Sequence, residues 1–264
     1  MTAPREQRFA FDEVAELYDR TRPRYPEALV DDLVSHSGIA AGGRILEIGC
    51  GTGQLTASLA ARGFGVLCLE PGANMAAVAR ERFARFPKVE VQSLTFEAWP
   101  LEPRAFELVV SAQAFHWVDP AVRFAKSADS LRAGGSLAVI GNAPVEERSP
   151  ARTAIDAAYE TQAPSLAANR MPACWYGEEA LIRGLFAASE RFAPAAAFTR
   201  SWSESYATDR YLDLMRTHSP HRLLDESQRE SLLAAIRKAI DAHGGSFNVS
   251  YEAHLYLARV REDA

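Results

Sequence analysis

The chain has 264 residues, of which 48% are hydrophobic and 24% are charged, the composition of a globular protein that buries a core. Its net charge of −5 predicts no basic surface for binding nucleic acid. The sequence has no run of about eighteen apolar residues, so no membrane span is expected. The first ten residues lack the apolar segment of a secretory signal.

The cysteines argue against two further classes of protein. Cys50, Cys68 and Cys174 are odd in number and form no Cys-x-x-Cys pair. Neither a disulfide framework nor a zinc site is therefore expected. We predict a cytoplasmic protein with no bound metal.

Two helices are predicted ahead of the first strand. Apolar residues recur at helical spacing from Phe11 to Tyr18, and Pro23 and Pro26 then interrupt the chain. A second helix is predicted over residues 26–37, with leucines and valines on one face.

A strand, a glycine turn and a helix follow. The apolar run 44–48 predicts the strand, Gly49, Gly51 and Gly53 predict the turn, and residues 55–62 have helical periodicity. Such a turn brings bare backbone N–H groups against a ligand. A glycine turn with no ligand is the alternative.

The spacing of this turn separates three ligand classes. A phosphate-binding P-loop needs lysine where Gln54 stands, and the dinucleotide fingerprint needs its third glycine at that same position. A carboxylate at Glu47 would repel a pyrophosphate and would suit a positively charged ligand. S-adenosylmethionine carries two positive groups, an ammonium and a sulfonium.

The stretch Glu47-Ile48-Gly49-Cys50-Gly51-Thr52-Gly53 resembles the first motif of the class I S-adenosylmethionine-dependent methyltransferases. The resemblance implies that it holds the methionine part of the cofactor. It covers residues 9–142 well, and the remainder of the chain only by its overall pattern.

The second strand, residues 65–69, ends in Glu70, about twenty residues after the first glycine. A carboxylate there can accept bonds from both ribose hydroxyls, in dinucleotide enzymes as well as in methyltransferases. Pro71 and Met75 follow at the start of a helix. Met75 is expected either against the adenine or in the core.

The third strand is predicted at residues 89–92. The segment 94–101 then resembles the family segment in which a polar side chain and the next backbone N–H contact the adenine edge. The resemblance assigns these roles to Thr95 and Phe96. The family commonly has aspartate where Thr95 stands, so a weaker or water-mediated adenine contact is expected.

The fourth strand, residues 106–111, leads into Ala-Gln-Ala-Phe-His-Trp at 112–117. This text resembles a methyltransferase subgroup that includes trans-aconitate methyltransferase-like and quinone C-methylase-like proteins. Because open α/β sheets bind ligands beyond the carboxyl ends of their strands, we expect Gln113, His116 and Trp117 to line the site. His116 is the candidate general base or substrate contact. Packing of this loop against the next helix is the alternative.

The second half of the chain completes the predicted sheet. A helix is predicted from Asp119 and Pro120 to Leu131, capped by the aspartate. The remaining predictions are a fifth strand at 136–141, alanine-rich helices over 149–187, a sixth strand at 192–201, a helix at 208–217, a helix at 225–243 and a final strand at 247–260.

Several residues outside the core motifs are candidates for contacts with the cofactor, as Tyr18 and Arg22 are, or with the acceptor, as Tyr25, Trp175 and Tyr176 are. Tyr18, Arg22 and Tyr25 belong to a segment that resembles the N-terminal lid of small-molecule methyltransferases, where it covers cofactor and substrate. Trp175 and Tyr176, with Met171 and Arg170, fall where such enzymes often add helices over the substrate. We consider Arg22, Arg170 or Arg222 as a clamp for an acidic substrate.

The spacing His218-Ser-Pro-His221 is similar to a metal-ligand pair. Pro220 prevents one helix face from presenting both rings, so a loop over the pocket is predicted instead.

These predictions combine into one architecture. Strands alternating with helices through 44–141 predict an α/β, doubly wound, mostly parallel sheet. The resemblance implies a seven-stranded Rossmann-like methyltransferase fold with an antiparallel closing strand. We expect a single domain, 1–264, made of a lid (1–37), a cofactor-binding core (38–142), a helical cap (143–190) and closing strands and helices (191–264).

The predicted function is methyl transfer from S-adenosylmethionine to oxygen or carbon of a small molecule, including a carboxylate, with S-adenosylhomocysteine as product. Two alternatives remain at this point: a non-catalytic protein that binds the cofactor, and a nicotinamide-dependent oxidoreductase. No nucleic acid or membrane partner is expected. The protein is expected to be a monomer or a homodimer.

Overall fold

The computed structural model describes residues 12–145, 147–168 and 175–261. Arg170 and Met171 lie outside these ranges. The strands are β1 (Arg44–Ile48), β2 (Gly65–Leu69), β3 (Val89–Gln92), β4 (Phe106–Ala112), β5 (Leu131–Val145), β6 (Ala196–Ala207) and β7 (Ser246–Arg259).

The helices alternate with the strands in the first half of the chain and dominate the second half. They are α1 (Ala15–Thr21), α2 (Glu27–Ser37), α3 (Gln54–Ala61), α4 (Ala73–Phe83), α5 (Arg123–Ser130), α6 (Pro150–Gln162), α7 (Pro164–Ala168), α8 (Glu179–Ala188), α9 (Thr208–Arg216), α10 (Ser219–Arg222) and α11 (Glu226–Asp241). Short 3₁₀ turns cover Asp12–Val14, Phe115–Trp117 and Trp175–Gly177.

Within the described ranges, seven strands form one sheet in the order β3-β2-β1-β4-β5-β7-β6. Strands β1 to β5 pair in parallel, and β6 and β7 close the sheet as antiparallel strands. The predicted doubly wound α/β fold is confirmed. Strand order reverses between β1 and β4, which makes their carboxyl ends the expected position of a ligand.

The central strands explain why the sheet forms in this order. Ile45 and Leu46 of β1 and Leu108, Val109 and Val110 of β4 are fully buried. Continuous apolar runs of this kind are typical of parallel strands covered on both faces. The polar residues that follow these strands are therefore held at a rigid edge.

Two strand predictions were wrong at their boundaries. β5 begins at Leu131 because Phe106 pairs with Leu131 while Leu108 pairs with Ser136, so Gly134 and its neighbour lie in an irregular stretch of the strand. β6 begins at Ala196, whereas a strand was predicted from Phe192. Phe192 instead forms an isolated antiparallel bridge with Val260.

Two predictions about helix starts and loops were also wrong. Helix α5 begins at Arg123 and not at Pro120. The carboxylate of Asp119 accepts a hydrogen bond from the N–H of Ala121 at 3.0 Å, and the Asp119 carbonyl accepts from the N–H of Arg123 at 2.9 Å, so a turn precedes the helix. The predicted loop at 218–221 contains the short helix α10.

The chain divides into two compact units. The first comprises the described residues within Met1–Pro23, Pro144–Cys174 and Ser201–Tyr251, and the second those within Arg24–Ala143, Trp175–Arg200 and Glu252–Ala264. The predicted single domain and its four segments stay a prediction. No helix in the described ranges combines the length and apolar character needed to cross a bilayer.

The first unit has a helical core with a buried histidine. Its apolar core contains Ile155 of α6 and Leu232, Leu233 and Ile236 of α11. The Tyr159 hydroxyl and His221 Nε2 are 2.7 Å apart. Burial, together with the positive charge of Arg22, lowers the pKa of His221 to about 4, so this imidazole is neutral near physiological pH.

We expect acid to destabilise the protein through this histidine. Because the pKa of His221 is lower in the folded state than in the unfolded state, the unfolded state binds more protons as pH falls. The stability contribution is therefore present above about pH 6.5 and is lost as pH falls toward about 4, at a cost of about 2 kcal/mol between about pH 7 and about pH 5. Denaturant unfolding of His221→Phe should show a shallower pH dependence than wild type.

The exposed His243 supplies the control for this measurement. His243→Gln is measured in parallel, so that loss of a buried histidine is compared with loss of an exposed one. An equal slope in wild type and His221→Phe would contradict the assignment.

Candidate functional site

The glycine turn after β1 depends on three residues with positive φ. Gly49, Gly51 and Gly53 have φ angles of 69°, 61° and 91°, which disfavour residues with a Cβ. A Cβ on Gly49 would lie 2.3 Å from Cβ of Ala114, and one on Gly53 would lie 2.3 Å from the Phe83 ring. Both backbone freedom and close packing therefore require glycine at Gly49 and Gly53.

Glu70 joins the turn to the start of α4. Its Oε2 accepts a hydrogen bond from the N–H of Gly51 at 2.9 Å, and its Oε1 accepts from the N–H of Gly72 at 2.8 Å. Each carboxylate oxygen can accept a further bond. Glu70 therefore lies at the carboxyl end of β2, against the glycine turn, as its predicted ribose contact requires.

Glu47 is buried beneath the same turn. Its Oε2 accepts a hydrogen bond from the Thr56 hydroxyl at 2.7 Å. Burial, reinforced by the negative charge of Glu70, raises the pKa of Glu47 to about 8 despite the Thr56 bond. Glu47 is thus mostly protonated at neutral pH unless a nearby positive charge favours the ionised form.

Cys50 and Thr52 complete the motif. The Cys50 thiol has a raised pKa, from its hydrogen bond to Cys68 and then from burial. The Thr52 hydroxyl accepts a hydrogen bond from Gln54 Nε2 at 2.7 Å. Helix α3 begins at Gln54 with no side-chain cap, so its first amides face the turn without a competing cap.

The residues predicted to contact adenine follow β2 and β3. Met75 lies in the first turn of α4 and is buried, next to the partly buried Pro71. Thr95 Oγ1 accepts a bond from the N–H of Ala98 at 3.1 Å. The Phe96 ring is buried and stacks on Trp99 at 6.2 Å. Their adenine contacts stay predictions.

The loop after β4 crosses the glycine turn. Ala114 contacts Gly49, and the neighbouring Gln113 has a φ of 58°, unusual for a residue with a side chain. Gln113 Nε2 donates to the carbonyl of Asn142 at 2.8 Å, which ties this loop to β5. The strained backbone of Gln113 is therefore stabilised at the carboxyl ends of the strands, where a ligand is expected.

His116 and Tyr176 form the polar centre of an aromatic cluster. His116 Nδ1 lies 2.9 Å from the Tyr176 hydroxyl, and its ring lies 4.5 Å from that of Trp117 and 6.0 Å from that of Trp175. Burial, and then the positive charge of Arg123, lowers the pKa of His116 to about 4. The structure thus brings together the four predicted residues His116, Trp117, Trp175 and Tyr176.

The neutral His116 has two possible roles, set by its tautomer. With a proton on Nδ1, this atom donates to Tyr176 and leaves Nε2 as an acceptor. With the proton on Nε2, His116 becomes a hydrogen-bond donor to a ligand. Because a general base acts best with a pKa near the working pH, a pKa of about 4 favours the hydrogen-bonding role.

The predicted lid residues are divided between the two units. In the first unit, Arg22 donates from Nη2 to the carbonyl of Thr217 at 2.8 Å, and its guanidinium lies 4.8 Å from the Tyr18 ring. Tyr25 belongs to the second unit, just before α2. Arg222 pairs with Glu13. Their roles over cofactor or acceptor stay predictions.

Arg123 is the site-loop residue that the sequence reasoning missed. It is 7% exposed and its guanidinium lies 5.7 Å from the centre of the Trp175 ring. Its position directly before Phe124 at the start of a short helix is the signal that could have identified it, because Arg123 and Phe124 are both buried there and a buried arginine is rare. No group of three metal-ligating side chains occurs among the residues that the structure describes.

Comparison with known proteins identifies the family. Residues 45–135 match the family model described as a methyltransferase domain. An uncharacterized methyltransferase of Mycobacterium bovis is 37% identical over 138 residues, which are 52% of this chain and 54% of that protein. The chain thus matches about half the length of this relative.

Solved structures share the fold. A protein described as a type II methyltransferase from Anaeromyxobacter dehalogenans superposes with a TM-score of 0.63 and 24% identity, covering 90% of this chain and 97% of that one. At this identity the likeness shows the fold alone.

A longer alignment shows the family. An uncharacterized methyltransferase of Geobacillus sp. is 31% identical over 159 residues, which are 57% of this chain and 73% of that protein. The chain therefore belongs to the class I S-adenosylmethionine-dependent methyltransferases.

Proposed function

We propose that the chain binds S-adenosylmethionine at the glycine turn and transfers its methyl group to oxygen or carbon of a small-molecule acceptor. The observation that carries the proposal is the turn itself. Its three positive-φ glycines lie beside the Glu70 carboxylate, which accepts from the N–H of Gly51.

The donor set fits this cofactor. Glu70 accepts from two backbone N–H groups at the turn and at the start of α4, and a carboxylate is also the type of acceptor that ribose hydroxyls require. A ligand ammonium near the turn would favour the ionised form of the buried Glu47. A pyrophosphate would favour the protonated form. We therefore propose that Glu47 and Glu70 hold the cofactor. Pro71, Met75, Thr95 and Phe96 would surround its adenine.

The bound cofactor supplies an activated methyl group and a good leaving group. The protein has to align the acceptor atom with it, and orientation alone can supply about 7–11 kcal/mol of barrier lowering. His116, Trp117, Trp175 and Tyr176 would position the acceptor, and Gln113 would fix the loop that carries His116 and Trp117. The lid role of Tyr18, Arg22 and Tyr25 stays a prediction from the family resemblance.

An oxygen nucleophile that is already ionised needs no base from the protein. A carbon or hydroxyl acceptor needs one, and His116 could serve only in the tautomer that leaves Nε2 unprotonated. We expect His116→Gln to retain hydrogen bonding and to lose base function. Rate profiles against pH for the two proteins would separate the roles.

The proposal is tested by binding and by turnover. S-adenosylhomocysteine should bind the purified protein and NAD should not, which excludes the oxidoreductase alternative. Transfer of labelled methyl to members of a metabolite panel should follow. Binding without transfer to any acceptor would favour the non-catalytic alternative, and absence of binding would overturn the proposal. We also propose that the protein is cytoplasmic and that it is a monomer or a homodimer.

A further inference from the structure

Arg123 is a buried cation to which the described residues supply no counter-charge. It is the first residue of α5 and is 7% exposed. Its Nε is buried and has no hydrogen-bond partner in the described ranges. No carboxylate there forms an ion pair with this guanidinium.

The surroundings of Arg123 are aromatic. The guanidinium carbon lies 5.6 Å from the ring centre of Phe115, 5.5 Å from that of Phe124 and 5.7 Å from that of Trp175. Tyr176 and His116 are titratable groups beside it, and a phenol and an imidazole of low pKa are both neutral at physiological pH. Ring faces stabilise a cation, but they supply no acceptor for the buried Nε–H, and buried polar groups normally have one.

Other arginines of the same unit show what is missing. Arg132 pairs with Glu107 at 2.8 Å, and Arg62 pairs with Asp31 at 2.6 Å. Both are more exposed than Arg123 and need a counter-charge less. Arg123 therefore combines the greatest need for an anion with the absence of one from the described chain.

The position of Arg123 connects this need to the proposed acceptor site. Trp175 contacts both Arg123 and His116, and Tyr176 lies beside both. The loop that carries His116 contacts the glycine turn through Ala114 and Gly49. An anion held by Arg123 would thus lie on the acceptor side of the site.

We propose that Arg123 binds an acidic group, a carboxylate or a phosphate, on the acceptor molecule. This inference rests on the proposed function. The planar guanidinium matches both anions with two parallel hydrogen bonds. The paired group serves for recognition and is distinct from the methylated atom, because ion pairing withdraws electron density from the oxygens and makes them weaker nucleophiles.

The alternative is that Arg123 only packs the aromatic cluster. Arg123→Met keeps most of the side-chain volume and removes the charge. Arg123→Lys keeps the charge but loses the planar guanidinium that donates two parallel hydrogen bonds. Arg132→Met is the matched control, because it removes an arginine from a surface ion pair. Each variant is first tested for binding of S-adenosylhomocysteine. Wild-type affinity in all of them separates this proposal from failure of the proposed function.

The first experiment measures anion binding directly. Glutarate and inorganic phosphate are titrated separately into histidine-labelled protein saturated with S-adenosylhomocysteine, and the His116 ring resonances are followed by NMR. Among the residues that the structure describes, the charged or titratable groups that face His116 are Arg123 and Tyr176. We expect saturable shifts and a raised His116 pKa in wild type and in Arg132→Met, and neither in Arg123→Met.

The second experiment measures specificity. Each acidic compound of the metabolite panel is compared, as a methyl acceptor, with its neutral amide. Carboxylates and phosphates are tested in separate series. Wild type should prefer the acid by about 30-fold in kcat/KM, the expected loss when a charged hydrogen-bond partner is removed. Arg123→Met should lose this preference through KM, and Arg123→Lys should keep part of it.

Three results would overturn the proposal. They are anion-induced shifts that persist in Arg123→Met, equal kcat/KM for acids and amides in wild type, and a preference that Arg123→Met retains. A fall in thermal stability of Arg123→Met with none of the other changes would assign Arg123 to packing.

Discussion

Replacing Glu70 by glutamine is expected to weaken binding of S-adenosylhomocysteine by about 100-fold, because a hydrogen bond to a charged acceptor contributes about 1.5–3 kcal/mol. The two carboxylate oxygens accept from the N–H groups of Gly51 and Gly72. A glutamine offers one carbonyl oxygen and one NH₂, so one of these buried amides would face another donor. The proposed ribose contacts would weaken at the same time. Calorimetry measures the loss.

Glu90→Gln is the matched control for this experiment. Glu90 lies on β3, is exposed and accepts a bond from Gln92. Its variant should bind the ligand with wild-type affinity. If Glu70→Gln did so as well while remaining folded, Glu70 would have no part in holding the cofactor.

The second large effect is expected from Gly49→Ala, which should abolish detectable cofactor binding and lower stability. The substitution forces a residue with a Cβ to φ 69° and places that Cβ 2.3 Å from Ala114. The left-handed conformation costs about 1–2 kcal/mol, and overpacking adds about 1–3 kcal/mol. The loop that carries His116 would be displaced from the turn.

Gly63→Ala separates the cost of the left-handed backbone conformation from the cost of overpacking against Ala114. Gly63 has a φ of 82°, and a Cβ at this position would meet no atom within 4 Å, so its variant bears only the conformational cost of about 1–2 kcal/mol. Denaturant unfolding and ligand titration of both variants should show the larger loss, and the loss of binding, for Gly49→Ala. Equal behaviour of the two variants would show that the contact with Ala114 is unimportant.

The cofactor side of the site could be predicted from sequence because its chemistry is local. Strand β1, the glycines and α3 are consecutive, and Glu70 follows one strand later. Backbone preferences of glycine and alternation of strands and helices are written in short windows of sequence. The strand boundaries that failed, at β5 and β6, depended on partners far along the chain, such as Val260 opposite Phe192.

The acceptor side could not be predicted to the same depth. The hydrogen bond between His116 and Tyr176 joins residues 60 positions apart, and nothing local to either residue specifies it. The low pKa of His116 results from burial and from Arg123, whose own burial depends on the packing of α5 against the aromatic cluster. The sequence motif predicts His116 as a site residue. Its protonation state depends on burial and on Arg123, which only the structure shows.

The most direct test of the central claim is a crystal structure of the protein with S-adenosylhomocysteine. We predict that the amino-acid part of the ligand lies over Gly49, Gly51 and Gly53, that its ribose hydroxyls donate to Glu70, and that its sulfur faces His116 and Tyr176. A ligand bound elsewhere, or a turn that stays filled by the protein's own side chains at saturating ligand, would contradict the claim.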